Sequence, residues 1–262
     1  MAGRLGRRVM NLQGKKGIIF GIANHRSIAW GCARQLKEHG AEFGVTYLNE
    51  SMEKRVRPLG EEIGAGLIEP CDLTREEEVK ALFEKAGEVY GKLDFLVHSV
   101  AYASKEALSV PIEDVSMDQF SEAMHISAGT LLTMVKYAKP LLNPGASIVT
   151  MTYYGASRAI VNYGIMGVAK AALESEVRYL ASQLGENEIR VNAVSAGPIR
   201  TLAASGVKGF RGFLDQVADR CAIKRSVTTE EVGNACSFLV SPLASGITGQ
   251  VVFVDLGFSA LS

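Results

Sequence analysis

Short apolar runs rich in valine and isoleucine alternate with stretches of helical periodicity from Lys16 onward. This alternation leaves the chain few folds to choose from. GIIFGI (17–22), AEFGVTYL (41–48), GLIEPCD (66–72), LDFLVHSVA (93–101), ASIVTMT (146–152), IRVNAVSA (189–196) and QVVFVDLG (250–257) read as strands. Between them, helical spacing covers Ser27 to about Glu38, then 51–63. It is clearest in EEEVKALFEKAGEVY (76–90), with Val79, Leu82, Phe83, Ala86 and Val89 on one face. Continuous apolar strands suit a parallel sheet covered on both faces. Strand–helix alternation then predicts an α/β fold, a doubly wound parallel sheet with right-handed crossovers. No linker, repeat or low-complexity tract interrupts residues 12–262, so a single domain is expected. Residues 1–11 read as a disordered extension, with Met10 as an alternative start.

Composition excludes several function classes. Among 262 residues, 28 basic side chains balance 28 acidic ones, so no global field draws the protein to nucleic acid or anionic membrane. No apolar run reaches the length of about 18 residues that a bilayer span needs. Cys32, Cys71, Cys221 and Cys236 show no CxxC spacing and no histidine cluster accompanies them. No metal site is expected, and four small buried thiols in a reducing, cytoplasmic compartment fit best.

Ligands of such sheets sit at the carboxyl ends of the strands. The first strand–helix junction carries Gly21, which permits close backbone approach, and Ser27, placed to cap the next helix. The start of that helix, at Ile28, is suited to a pyrophosphate. GxGxxG is absent, so spacing alone leaves an ordinary structural turn open. The second strand ends at Tyr47-Leu48-Asn49-Glu50, with no arginine at 48 or 49 to meet a 2′-phosphate, although Lys54 and Arg55 follow. NADH is therefore expected over NADPH. Farther on, Tyr153 follows a strand, and Tyr163 and Lys170 are two helical turns apart, projecting from one face. A phenol can donate to a developing oxyanion and a lysine can hold a ribose. By spacing alone, packing tyrosines and a solvated lysine explain the same pattern.

The segments GIANHRSIAWG, TYLNE, CDL (71–73), VHSVAYASKEAL (97–108), the Tyr153/Tyr163/Lys170 stretch, RVNAVSAGPIRTLAASGVKGF (190–210) and SGITGQVVFVD (245–255) carry a wider likeness. Through them the chain resembles the short-chain dehydrogenase/reductase superfamily, with its Rossmann-like sheet. Within it, the resemblance is to the type II enoyl-acyl carrier protein reductases of bacterial fatty-acid synthesis, the triclosan-target type. It extends from about Leu12 to Phe258. The common carbonyl reductases carry Tyr-x-x-x-Lys, which needs tyrosine at Met166; here it stands one turn earlier, at Tyr163, and Tyr153 replaces their serine.

The resemblance implies hydride transfer from NADH to C3 of a trans-2-enoyl thioester carried on acyl carrier protein. The Tyr163 hydroxyl and a cofactor ribose hydroxyl would stabilise the enolate oxygen, and Lys170 would hold the nicotinamide ribose rather than donate the proton. Tyr153 would line the acyl pocket. Cofactor contacts carry over to Gly21, Ser27, Ile28, Asp72, Leu73, Ser99, Val100, Lys170, Ile199 and Thr201. Substrate contacts carry over to Ala101, Tyr102, Tyr153, Met166, Ala203, Val207 and Phe210. A mobile lid is implied around 199–222, as is a homotetramer pairing helices that include 157–184. Small residues at 156, 164, 167, 169, 171 and 172 permit close helix contact, in the assembly or on the sheet.

Four positions depart from the family pattern. Leu48 replaces a polar residue near the adenosine, and His125 replaces an aspartate, a change expected to act on a salt bridge or subunit contact. Val161 replaces a proline, and Leu256 interrupts Asp-Gly-Gly. The competing readings are a carbonyl or 3-oxoacyl reductase and a non-enzymatic dinucleotide sensor. Missing tyrosine at 166 argues against the first, and an intact Tyr163/Lys170 pair against the second.

Overall fold

The computed structural model describes residues 10–199, 201 and 217–261. Its strands are β1 (Lys16–Phe20), β2 (Glu42–Tyr47), β3 (Leu67–Pro70), β4 (Leu93–His98), β5 (Leu142–Thr152), β6 (Arg190–Ala196) and β7 (Val251–Val254). All pair in parallel in one sheet, in the order β3-β2-β1-β4-β5-β6-β7. Strand order reverses between β1 and β4, where Gly17 faces Phe95 and Phe20 faces His98.

Among the described residues, six helices cover the sheet, three on each side. One core cluster joins it to α3 (Glu76–Tyr90), α5 (Thr130–Ala138) and α6 (Gly164–Leu184) through Leu82, Phe83, Leu131, Met134, Leu173 and Val177. The other joins it to α1 (Ile28–Glu38), α2 (Glu50–Ile63) and α7 (Thr229–Val240). Along β1, Ile18 and Phe20 enter the first cluster while Ile19 enters the second. Both faces of the strand are thus buried, which is why its apolar run is continuous rather than alternating.

The α3 periodicity is observed at residues 76–90, with one difference. Val89 is 47% exposed and Tyr90 is buried in its place, because position 90 falls one full turn after Ala86 on the covered face. β5 begins four residues earlier than its apolar run suggests, at Leu142 rather than Ala146. The region before it contains α4 (Met117–Met124), closed by a Ser116/Gln119 capping box, and a π-helical turn, His125–Gly129, that leads directly into α5. A short α8 (Phe258–Leu261) follows β7.

Helices α1 and α7 touch backbone to backbone. A Cβ on Gly31 would lie 2.2 Å from the Thr229 carbonyl oxygen, and one on Gly233 would lie 2.4 Å from that of Gly31. Cys32 and Cys236 meet across the same contact as free, fully buried thiols. Leu256, where the family pattern has glycine, sits in the left-handed region at φ 57°. That conformation costs a leucine about 1 kcal/mol, and its packing against the second core cluster and against the group around Tyr154 and Phe258 offsets the strain.

Leu12 is fully buried and its N–H donates to the His39 carbonyl at 2.8 Å. The expected extension before it lies, for residues 1–9, outside the described residues. Gly31→Ala is expected to force α1 and α7 apart, with overpacking of about 2–3 kcal/mol. Thermal unfolding would report this as a midpoint lowered by roughly 5–10 °C; an unchanged midpoint would show that the helices slide freely.

Candidate active site

Four adjacent strands send their exits to one rim of the sheet: Gly21 follows β1, Ser99 to Tyr102 follow β4, Tyr153 follows β5 and Gly197 to Ile199 follow β6. At the first exit, Gly21 has φ 97°, and a Cβ there would lie 2.0 Å from the Ser99 carbonyl oxygen. Only glycine lets these two turns approach so closely. Ser27 stands at the N-cap position of α1 yet does not cap it. Its Oγ instead accepts from the N–H groups of Ala23 and Asn24, at 3.0 and 3.1 Å. The expected side-chain cap is thus corrected: the serine folds the turn, and the first-turn N–H groups of α1, beginning at Ile28, have no side-chain acceptor. That arrangement suits an anion such as a pyrophosphate. His25 ties the same turn to α2 through Glu62 at 2.9 Å and packs edge-on against Trp30.

At the adenosine end, Asn49 caps α2 by accepting from Met52 N–H at 3.1 Å, and Leu48 is exposed. Arg57 lies over the Tyr47 ring, and its Nε donates to Glu53 at 2.8 Å. This guanidinium is already neutralised, which leaves it poorly disposed toward an extra phosphate. Asp72 accepts from Thr74 N–H and Oγ1 at 2.9 and 2.7 Å, while its own N–H donates to Glu78 at 2.9 Å; Leu73 beside it is buried.

The chemical end is built around two phenols. Tyr163 is the N-cap residue of α6, just outside the helix, and is flanked by Asn162 (φ 63°) and Gly164 (φ 38°), both left-handed. Its ring meets that of Tyr153 edge-on, with centroids 4.8 Å apart. Burial pushes both phenols well above their ordinary range, helped at Tyr163 by Tyr153 and Glu174. Both are hydrogen-bond donors at neutral pH. Among the described residues, the buried Tyr153 hydroxyl has no partner.

Lys170 is buried in α6 and donates from Nζ to the Met151 carbonyl at 2.8 Å. Burial lowers it to about 8, against the opposing pull of Glu174. Met166 is buried, and Ala101 and Tyr102 are exposed at the rim. Ile199 packs on the second core cluster, and Thr201 N–H donates to its carbonyl at 2.8 Å. Ala203, Val207 and Phe210, with most of the expected lid, lie outside the described residues.

Several participants escaped the sequence reading. His98, fully buried at the end of β4, bonds Thr150 Oγ1 through Nδ1 and Thr130 Oγ1 through Nε2, each at 2.9 Å. Both threonine hydroxyls also reach carbonyls, Thr130 that of Ile126 at 2.7 Å and Thr150 that of His98 at 3.2 Å, so each can accept from the ring. Burial, with Lys170 nearby, drives its pKa down to about 3. Ser127, fully buried in the π-turn, accepts from Tyr102 N–H at 2.9 Å and lies 2.8 Å from the Tyr102 carbonyl and 3.7 Å from Met166 Sδ. His98 sat in an apolar run, and nothing in the local sequence marks the π-turn that delivers Ser127 and Thr130. His125, Val161 and Leu48, the family departures, are all exposed.

A sheet that reverses order beside a glycine turn, with a buried lysine and two phenols at the neighbouring exits, defines a nicotinamide-dinucleotide oxidoreductase of the short-chain dehydrogenase/reductase class. Within that class the chain belongs to the enoyl-(acyl carrier protein) reductase family, whose model matches residues 21–259. It is 48% identical over 250 residues to the NADH-dependent enoyl-[acyl-carrier-protein] reductase of Rickettsia typhi, covering 95% of this chain and 96% of that one. It is 48% identical over 248 residues to that of Enterococcus faecalis, covering 95% and 98%.

Solved structures agree. The Anaplasma phagocytophilum enoyl-acyl carrier protein reductase in complex with NAD is similar with a TM-score of 0.92 at 42% identity, covering 98% of this chain and 96% of that one. The Bacillus cereus enzyme with NADP+ and an indole naphthyridinone is similar with a TM-score of 0.94 at 43% identity, covering 97% and 100%.

Gly155 is the wedge between the phenols. A Cβ on it would fall 2.5 Å from Tyr163 Cδ1 and 3.2 Å from Tyr153 Cδ1. Gly155→Ala is expected to leave NADH affinity within about twofold and to lower kcat roughly ten- to a hundredfold by displacing the rings. Fluorescence titration with NADH beside steady-state kinetics checks this; equal losses in both would point to general misfolding.

Proposed function

We propose that this protein is the NADH-dependent reductase that saturates trans-2-enoyl thioesters, closing the elongation cycle of fatty-acid synthesis. The carrying observation is the pairing of Tyr163 with Tyr153 while position 166, where a carbonyl reductase needs its tyrosine, holds a buried methionine beside Ser127. Two phenols in place of serine and tyrosine suit an enolate oxygen one conjugated bond farther from the carbon that accepts hydride. The enolate reading also rests on the family and on the named activity of the relatives.

Bound NADH supplies the hydride to C3, and C2 takes a proton to complete the saturation. The protein's work is to place and to polarise. Gly21, Ser27 and the start of α1 receive the pyrophosphate, and Asp72 and Leu73 flank the adenine. Ser99, Val100 and Lys170 follow the ribose, and Ile199 and Thr201 border the carboxamide. The Tyr163 hydroxyl donates to the thioester oxygen as charge develops there. Because burial keeps that phenol protonated, it remains a donor throughout the neutral range. Tyr153, whose buried hydroxyl has no partner among the described residues, lines the acyl pocket with Ala101, Tyr102 and Met166, and the segment 199–222, including Ala203, Val207 and Phe210, serves as lid.

The substrate arrives on acyl carrier protein, and the enzyme works in the bacterial cytoplasm as a homotetramer. Among the described residues, no helix is long and apolar enough to cross a membrane. The assembly reading draws on the outer face of α5 and α6. There a groove of about 570 Å³ runs between Leu132, Ala172, Glu176, Tyr179 and Gln183, and Tyr179 is 69% exposed. Of the small residues of α6, Gly167 and Ala169 pack inward, Ala172 lines this groove and Ala171 is exposed.

Mixing the protein with NADH and a crotonyl or longer enoyl thioester should consume NADH, and an acetoacetyl thioester should not. Consumption with the acetoacetyl substrate alone would favour the carbonyl-reductase reading. Tyr163→Phe should lower kcat about a hundredfold or more with NADH binding retained; full activity in that variant would sink the mechanism. Sedimentation should give four chains per particle, and Tyr179→Arg should shift it to smaller species.

A further inference from the structure

Two consecutive residues at the end of β5 each anchor a side chain from consecutive turns of α6. The Met151 carbonyl receives Lys170 Nζ, and Thr152 Oγ1 donates to Glu174 Oε1, both at 2.8 Å. Thr152 is buried and Glu174 partly so. The titratable groups around the Lys170–Glu174 pair can be named element by element. His98 on β4 is neutral, Tyr153 after β5 and Tyr163 at the N-cap of α6 are protonated phenols, and Arg178 lies one turn beyond Glu174. Glu174 alone among them can bring negative charge to the buried ammonium.

We propose that Glu174, held by Thr152, is a positioning residue that keeps Lys170 charged and seated for the dinucleotide ribose at working pH. This rests on the reading of Lys170 as a ribose-binding group. Burial drives both members of the pair toward neutrality, lowering Lys170 and raising Glu174, and each opposes the loss of charge on the other. Thr152 offers its proton to the carboxylate and so favours the ionised form. The same negative charge raises Tyr163, holding that phenol as a donor. One carboxylate thereby bears on the protonation of two neighbouring groups, in each case beside the larger effect of burial.

The sign of the effect is fixed. Lys170 is charged below its pKa, so NADH affinity should fall as pH rises through about 8. Glu174→Gln removes the opposing charge, and the fall should begin about one to two pH units lower. Below that point affinity should match wild type within about twofold. Glu174→Asp should keep most of the wild-type profile, and Thr152→Val should shift it in the same direction as Glu174→Gln by a smaller amount.

The experiment is fluorescence titration of NADH across the neutral and alkaline range, with circular dichroism confirming that each variant is folded. An unmoved profile in folded Glu174→Gln would overturn the proposal, and if that variant does not fold, an unmoved profile in Thr152→Val does so. Lys170→Met separates the two levels of inference. Wild-type NADH binding in Lys170→Met would remove the reading of Lys170 itself. Lost binding there, together with an unmoved Glu174→Gln profile, would remove only the role of Glu174.

Discussion

A lysine ammonium buried against a main-chain carbonyl is the interaction on which the architecture of this site turns. Lys170 donates to Met151 at the last turn of sheet before the rim. Bringing such a charge out of water is expensive unless it is paired and hydrogen-bonded, and the surroundings are arranged accordingly. The neighbouring imidazole is neutral, the neighbouring phenols are protonated, and a carboxylate stands one helical turn away. α6 is thereby fixed to β5 in register as well as in distance. Since Tyr163 caps that same helix, the phenol inherits its placement from the lysine.

The exit of β1 solves a different problem, close approach rather than charge. Gly21 lets the exit of β1 touch the exit of β4, and Gly31 lets α1 rest on the backbone of α7. Both contacts exclude any side chain. They bring the uncapped start of α1 to the rim without a GxGxxG sequence, because what matters is the free N–H groups and the absence of a Cβ rather than the spacing of three glycines.

The sheet, its parallel sense and helices α1, α2 and α3 were legible because they rest on periodicity, and burial on both faces leaves a continuous apolar signature. Tyr163, Lys170 and Tyr153 were visible as residue types in a suggestive order, though their meaning came from likeness to a family. What remained hidden depends on long-range partners. Ser27 looked like a helix cap and turned out to fold its own loop, a choice made between two local acceptor geometries that sequence does not separate. His98 looked like part of a strand, and only the fold brings the threonines of β5 and α5 to its two ring nitrogens. Leu256 looked like a disruption of a glycine pair. In the structure its side chain joins two core clusters and offsets the left-handed backbone it occupies.

The π-turn at His125–Gly129 ties separate parts of the site to one feature of the backbone. A π-turn amounts to a single extra residue in an otherwise α-helical path. Removing it would run α4 straight into α5 and rotate everything downstream by about 100° relative to what precedes it. Ser127 and Thr130 could then no longer both face inward, so the backbone of Tyr102 and the ring of His98 would lose their partners together. The placements of Tyr102 and His98 thus depend on one backbone feature, and deleting any single residue from this helix would disturb both at once.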